Sequence, residues 1–292
     1  MAIAFDRVQK PLRQLRKLLK NLHADPPAEE VHKLRTRSRQ IEAIAAALSP
    51  AEEKLTRRLL KSIKPLRKTA GSVRDMDVLS AKARALPQEP GQNSHREALT
   101  RLVEHLELSR KKYAAGLVTA LVRQRKTARQ NLKLYAKQLE CGKDSGSLAR
   151  EREQQVQAAA AQLAAELGRW PALSARNLHS FRLNVKELRS VLQLLSNCDR
   201  AFVEALGTVK EQIGDWHDWQ QLAMAATEVL HAQQDRALLS AIEELVRQKL
   251  REALTAANAL RESRLQPAAK KPPASERRLP AQSATASPNR VA

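Results

Sequence analysis

V-H-K-L-R-T-R-S-R-Q-I (31–41) and L-H-S-F-R-L-N-V-K-E-L-R (178–189) decide how the chain is read. Superposing His32 on His179 puts Arg35 on Arg182 and Arg39 on Lys186. Each stretch carries a histidine, an arginine three residues later and a second cation seven residues later. Steps of three and seven fall on one helix face. Apolar residues run in phase one position earlier. They are Val31, Leu34, Ile41, Ala45 and Leu48 in the first copy, and Leu178, Phe181, Val185, Leu188, Leu192 and Leu195 in the second. Each helix thus presents a core stripe with a cation row about 100° around from it. The cations belong at the edge of a packed interface. One basic row is usually a solvated face. Two rows of the same spacing and phase, in two halves of one chain, point to a shared use.

The whole composition fits such a use. Of 292 residues, 52 are Lys or Arg and 31 are Asp or Glu, a formal net charge of +21. An excess of that size repels itself in the folded state, and polyanions are its usual counterpart. The three Trp, two Tyr and three Phe make aromatics scarce. Helix formers dominate and β-branched runs are missing, so the expected fold is all-α. Cys141 and Cys198 stand in no metal or redox spacing, which fits a reduced compartment. The first residues, M-A-I-A-F-D-R-V-Q-K-P, lack the apolar stretch of a secretory signal. No run approaches the roughly 18 apolar residues of a membrane span. The expectation is a cytoplasmic protein with no membrane association.

Helical periodicity covers 3–22, with Pro11 interrupting or starting its stronger part, and the His32 helix as far as about Ser49-Pro50. It continues over 51–69, with Leu55, Leu59, Ile63 and Leu66 inward. Ala70-Gly71-Ser72 reads as a stop, followed by a short helix from about Val73 to Leu86. From Ser94 to Leu139 the pattern is helical, with Gly116 a candidate break. Nine basic residues and no acidic one lie between Arg110 and Lys137. Arg125 falls on the core stripe of that helix, so it either faces a wet cavity or snorkels past the core edge. The segment 141–147 is the clearest internal linker. Helices then read over 148–167, 172–196, 200–213, 216–232 and 235–264, with a break at Gly214-Asp215. Residues 266–292 hold five prolines and no apolar periodicity and read as a disordered basic tail.

A second echo follows the first. Gly71-Ser72-Val73-Arg74-Asp75 aligns with Gly214-Asp215-Trp216-His217-Asp218, and Arg67 meets Lys210 four residues before each glycine. On this reading Arg74 and His217 open a helix, where free backbone N–H groups also attract anions. Asp75 and Asp218 then sit in a first helical turn as dipole complements or caps. The repeats divide residues 1–265 into halves of roughly 1–140 and 147–265. Two such units would pack as pseudo-symmetric antiparallel bundles, with both cation rows facing a shared cleft.

Together H-K-L-R-T-R-S-R (32–39), G-S-V-R-D-M-D-V-L (71–79), H-S-F-R-L-N-V-K-E-L-R (179–189) and V-K-E-Q-I-G-D-W-H-D (209–218) resemble the CHAD domain, the conserved histidine α-helical domain. The resemblance spans about residues 3–262. It implies two helical bundles related by pseudo-symmetry, a central basic channel that binds inorganic polyphosphate, association with polyphosphate granules, and no catalysis. By motif position it implies phosphate contacts from Arg35, Arg39, Arg182, Lys186 and Arg189, and it makes His32 and His179 the family's histidines. Gln40, Glu42 and Glu187 stand where the family usually has cations, and Ser190 where it usually has tyrosine.

The full candidate polyphosphate-binding set joins those residues to Arg67, Arg74, Arg125, Lys210 and His217, with no metal and no cofactor. Polyphosphate is a flexible chain of charges without bases. A wall of Arg and Lys matches it, and Arg adds a bidentate fork. A nucleic-acid binder would use the same charges but would also want stacking platforms, for which Trp216 and Trp219 are the best candidates, although both also suit core positions. A metal phosphohydrolase would need clustered His and carboxylates, whereas both key histidines have cations at helical spacing.

Overall fold

The computed structural model describes residues 5–23, 26–48, 53–87, 93–141 and 146–265. Among them are eight α-helices: α1 (Phe5–Asn21), α2 (Ala28–Leu48), α3 (Lys54–Arg84), α4 (Asn93–Cys141), α5 (Gly146–Gly168), α6 (Leu178–Leu192), α7 (Arg200–Val229) and α8 (Arg236–Leu260). A π-helical turn, Arg261–Leu265, closes the series, and no strand occurs among the described residues. The tail expected at 266–292, most of the linker at 141–147 and the stop at 49–50 lie outside the described residues.

Helical spacing fixes what goes inside. Val31, Leu34, Ile41 and Ala45 of α2 are buried, as are Leu178, Phe181, Val185 and Leu188 of α6. Full burial of one such side chain stabilises by about 1.5–3 kcal/mol. These residues join one large core with α1, the first part of α3, the second part of α4, and parts of α5, α7 and α8. A second core unites the end of α3 and the start of α4 with the end of α7 and the start of α8. Each core draws on both halves of the chain.

Packing follows the same order in each set of four helices. α1 lies on α2, α2 on α3 and α3 on α4, while α5 lies on α6, α6 on α7 and α7 on α8. α1 and α4 run antiparallel, because Gln9 Nε2 donates to the Ala136 carbonyl (3.0 Å) and Arg125 Nη2 to the Leu22 carbonyl (2.6 Å). Between the sets, α2 meets α6 and α3 meets α7. Those four helices carry the two cation rows and the two glycine motifs.

Several expected breaks are absent. α3 runs unbroken through Gly71, and α7 through Gly214. Buried positions keep helical phase across both glycines: Leu66, Ala70 and Val73 in α3, and Val209, Ile213 and Trp216 in α7. A glycine inside a helix costs about 1 kcal/mol relative to alanine and need not end it when packing holds both sides. Arg74, Asp75, His217 and Asp218 are therefore mid-helix. Neither the exposed N–H groups of a helix start nor a capping role applies to them. Pro11 and Gly116 likewise lie within continuous helices. α6 is shorter than its pattern, because Asn177 bridges the Ala172 carbonyl and the Ser174 amide and holds the preceding residues in turns.

Candidate functional site

The glycines make room for arginines. A Cβ placed on Gly71 would lie 3.6 Å from Arg35 Nε. One on Gly214 would lie 3.1 Å from Arg182 Cζ and 3.2 Å from its Nε, and closer still to Nη2. So the arginine of each H-x-x-R stretch lies across the glycine of the next helix. That contact explains why both motifs recur together. Arg182 Nε also donates to the Lys210 carbonyl (3.0 Å), which fixes the guanidinium against α7.

Around these two arginines the rows converge. Arg39 is half-buried among Arg35, Arg67 and Arg182, and burial, then those three charges, pull it down to about 10, with Glu42 opposing. It stays charged at neutral pH. Arg182 is also lowered, by burial first; Asp218 and Asp75 oppose the shift and Arg35 adds to it. Asp75 pairs with Arg35 at 3.5 Å and is raised, mainly by burial. Glu42 pairs with Arg67 at 2.8 Å. The glutamate standing where a cation was expected therefore neutralises one predicted ligand. Arg39 and Arg182 have no ion-pair partner among the described residues.

Two histidines border the cluster. His179 stacks on His217, with ring centroids 4.5 Å apart. Its Nδ1 is buried with no hydrogen-bond partner among the described residues. Burial, then His217, Arg182 and Arg39, lower its pKa below the ordinary 6.5. His32 is exposed and 3.5 Å from the Thr36 hydroxyl. Burial of part of its ring, then Arg74, Arg35, Arg37 and Lys210, lower it as well. Both histidines are therefore predominantly neutral at pH 7.

The structure thus brings together Arg35, Arg39, Arg67, His179, Arg182 and His217, with His32, Arg74 and Lys210 in their electrostatic field. Lys186 is half-buried about one turn beyond Arg182 on α6. Two predicted residues are engaged differently. Arg125 caps the end of α1 through the Leu22 carbonyl, so it is neither facing a wet cavity nor snorkelling free. Arg189 donates to the Val203 carbonyl (3.2 Å) beside Gly207, and lines a cavity of about 490 Å³ with Arg7, Lys10, Arg37 and Arg200. The sequence pattern suggests dipole complements or caps at Asp75 and Asp218, yet both act on the arginines of the cluster. Their offset of four from each glycine carried the signal, once the helices are seen to be continuous.

Trp216 and Trp219 are core residues, 2% and 9% exposed. Lys82 lies 4.7 Å over the Trp219 ring and pairs with Asp215. Neither indole is available as a stacking platform.

These features define an all-helical protein whose two H-x-x-R helices converge on a basic cluster. The chain belongs to the CHAD domain family, whose model matches residues 7–227. Its fold is similar to the crystal structure of the CHAD domain from the plant Ricinus communis, with a TM-score of 0.57 and 19% identity over 90% of this chain and 92% of that one. No curated protein matches the chain.

Proposed function

We propose that the chain binds inorganic polyphosphate without turning it over, through the cluster where α2, α3, α6 and α7 meet. We read α1–α4 and α5–α8 as two copies of one helical unit, with the cluster lining a cleft between them. The matched packing order supports that reading. The observation that carries the function is the convergence of Arg39 and Arg182 from the two H-x-x-R helices, with neither guanidinium in direct ion-pair contact with a carboxylate of the described residues. Such an arrangement raises the energy of the free protein and is relieved by a polyanion. A phosphate chain supplies closely spaced charge along two rows, Arg35 with Arg39 and Arg182 with Lys186, whose cations stand four residues or about 6 Å apart along each helix. Buried indoles favour a base-free polyanion over nucleic acid. No described helix is long and apolar enough to cross a membrane. Cytoplasmic residence at polyphosphate granules is part of the proposal.

Titration with polyphosphates of defined length tests it. Arg39→Ala with Lys186→Ala should weaken binding about tenfold or more, at unchanged helicity. Affinity should fall steeply with salt. RNA of matched charge should compete poorly at physiological salt. Unchanged affinity in the double variant, or equal affinity for RNA, would overturn the proposal. So would release of free phosphate from the chain with Mg²⁺ or Mn²⁺ present.

A further inference from the structure

A second basic groove lies between α1 and α4, away from the cluster. α1 lines it with Arg13, Arg16, Lys17 and Lys20, and α4 with Lys126, Arg129, Gln130 and Lys133, around a volume of about 750 Å³. The antiparallel register set by Gln9–Ala136 and Arg125–Leu22 places Arg13 opposite Lys133, Arg16 opposite Arg129, and Lys20 opposite Lys126. Each row runs seven residues, about 10 Å along its helix. The result is a ladder of facing cations.

Among the described residues this ladder is balanced at one position only. Arg13 lies 3.7 Å from Asp6, itself almost fully exposed, and that is the groove's one ion pair among the described residues. The Nε of Arg129 is buried and lacks a hydrogen-bond partner there. Like charges at helical steps of three and four destabilise a helix. Buried Leu12, Leu15 and Leu19 anchor α1 beneath its row, so the cations are held in place. The groove has no aromatic side chain and a single amide, so it offers charge without base readout.

We infer that the α1–α4 groove is a second binding track for a phosphate chain, so that one long polyphosphate, or two short ones, can occupy both sites. The inference rests on the reading under Proposed function for the identity of the polymer.

The test is titration of the full chain with short and long sodium polyphosphate. Two groove variants are compared: Arg16→Ser/Lys17→Ser/Arg129→Ser/Lys133→Ser, and the wholly surface Arg16→Glu/Lys133→Glu. The wild type should take two equivalents of short chain, and either groove variant one. For long chain, the slope of log K against log salt should become shallower by about 0.7 for each cation removed. Two equivalents and an unchanged slope in both variants would overturn the track. So would a groove that takes single-stranded RNA, or vesicles containing phosphatidylglycerol, and does not release them to polyphosphate. The Arg39→Ala/Lys186→Ala variant separates the two claims. If it keeps both equivalents while the groove variants lose one, the track stands and the cluster fails as the first site. A wild type that binds no polyphosphate overturns both.

Discussion

The two H-x-x-R helices share their spacing but not their packing. In the first, Arg35 has ordinary clearance over Gly71 and pairs with Asp75, while His32 is exposed. In the second, Arg182 is pressed against Gly214 and tied to the Lys210 carbonyl, while His179 is stacked on His217. A duplicated pattern can therefore hold one copy loosely and the other rigidly. A pre-set guanidinium loses less freedom on binding than one that must first leave a carboxylate. The second copy should contribute more affinity.

Alanine at the two glycines is the strongest way to break this asymmetry. At Gly214 a methyl group would drive the Arg182 guanidinium off its seat. The displaced group is the end of a flexible side chain, so the helix should still form. Polyphosphate affinity should fall about tenfold, the scale of one charge-assisted contact. At Gly71 the methyl meets only ordinary contact distance. There alanine should leave affinity nearly unchanged and raise thermal stability by about 1 kcal/mol. Equal effects at the two positions, measured by calorimetry and thermal melts, would show that the clearances do not matter.

Arg39 sharpens the comparison between free and bound protein. It lies on α2 among three other guanidiniums, those of Arg35, Arg67 and Arg182. Arg39→Met keeps the stem and removes the charge. Without ligand, the variant should melt higher by about 1 kcal/mol, because a poorly compensated buried charge is gone. With polyphosphate present, the ranking should reverse. A variant less stable than wild type in both conditions would mean that Arg39 is structural.

Much of this was legible in the chain. The 3.6-residue phase of Val31–Leu48 and of Leu178–Leu188 gave both buried stripes and put the cation rows at their edge. The match of Arg35 to Arg182 survived intact. What misled was glycine. Gly71 and Gly214 carry the local signature of a helix end, yet apolar residues on both sides keep one continuous phase, and tertiary packing outweighs the local preference. Reading them as breaks hid their use as seats for arginine and turned Asp75 and Asp218 into caps. Arg125 stands out in the sequence as a charge on a core stripe, but its partner, a carbonyl 103 positions away, has no trace in sequence spacing. The α1–α4 ladder was half visible as an acid-free run on α4, and needed the antiparallel register to become a groove.

The smallest expected effect is on pH dependence, and it separates the two histidines. Both have pKa values lowered in the free protein, so the unfolded chain binds more protons there. Stability without ligand should therefore be fully present above the ordinary value of 6.5 and decline as pH falls below it. A bound phosphate chain cancels the positive field of Arg182 and Arg39 at His179, and of Arg74, Arg35, Arg37 and Lys210 at His32. Each histidine then gains proton affinity, the complex takes up protons, and binding strengthens as pH falls from 7.5 to about 5.5, by up to about tenfold for each unit of pKa regained. His179 should dominate, because its buried Nδ1 has no competing partner among the described residues, whereas His32 is largely in water. His179→Gln should flatten the profile of log Kd against pH more than His32→Gln does. If the two variants flatten it equally, or if affinity does not rise toward acid in the wild type, the histidines are not coupled to the bound chain and the asymmetry between the copies is confined to their arginines.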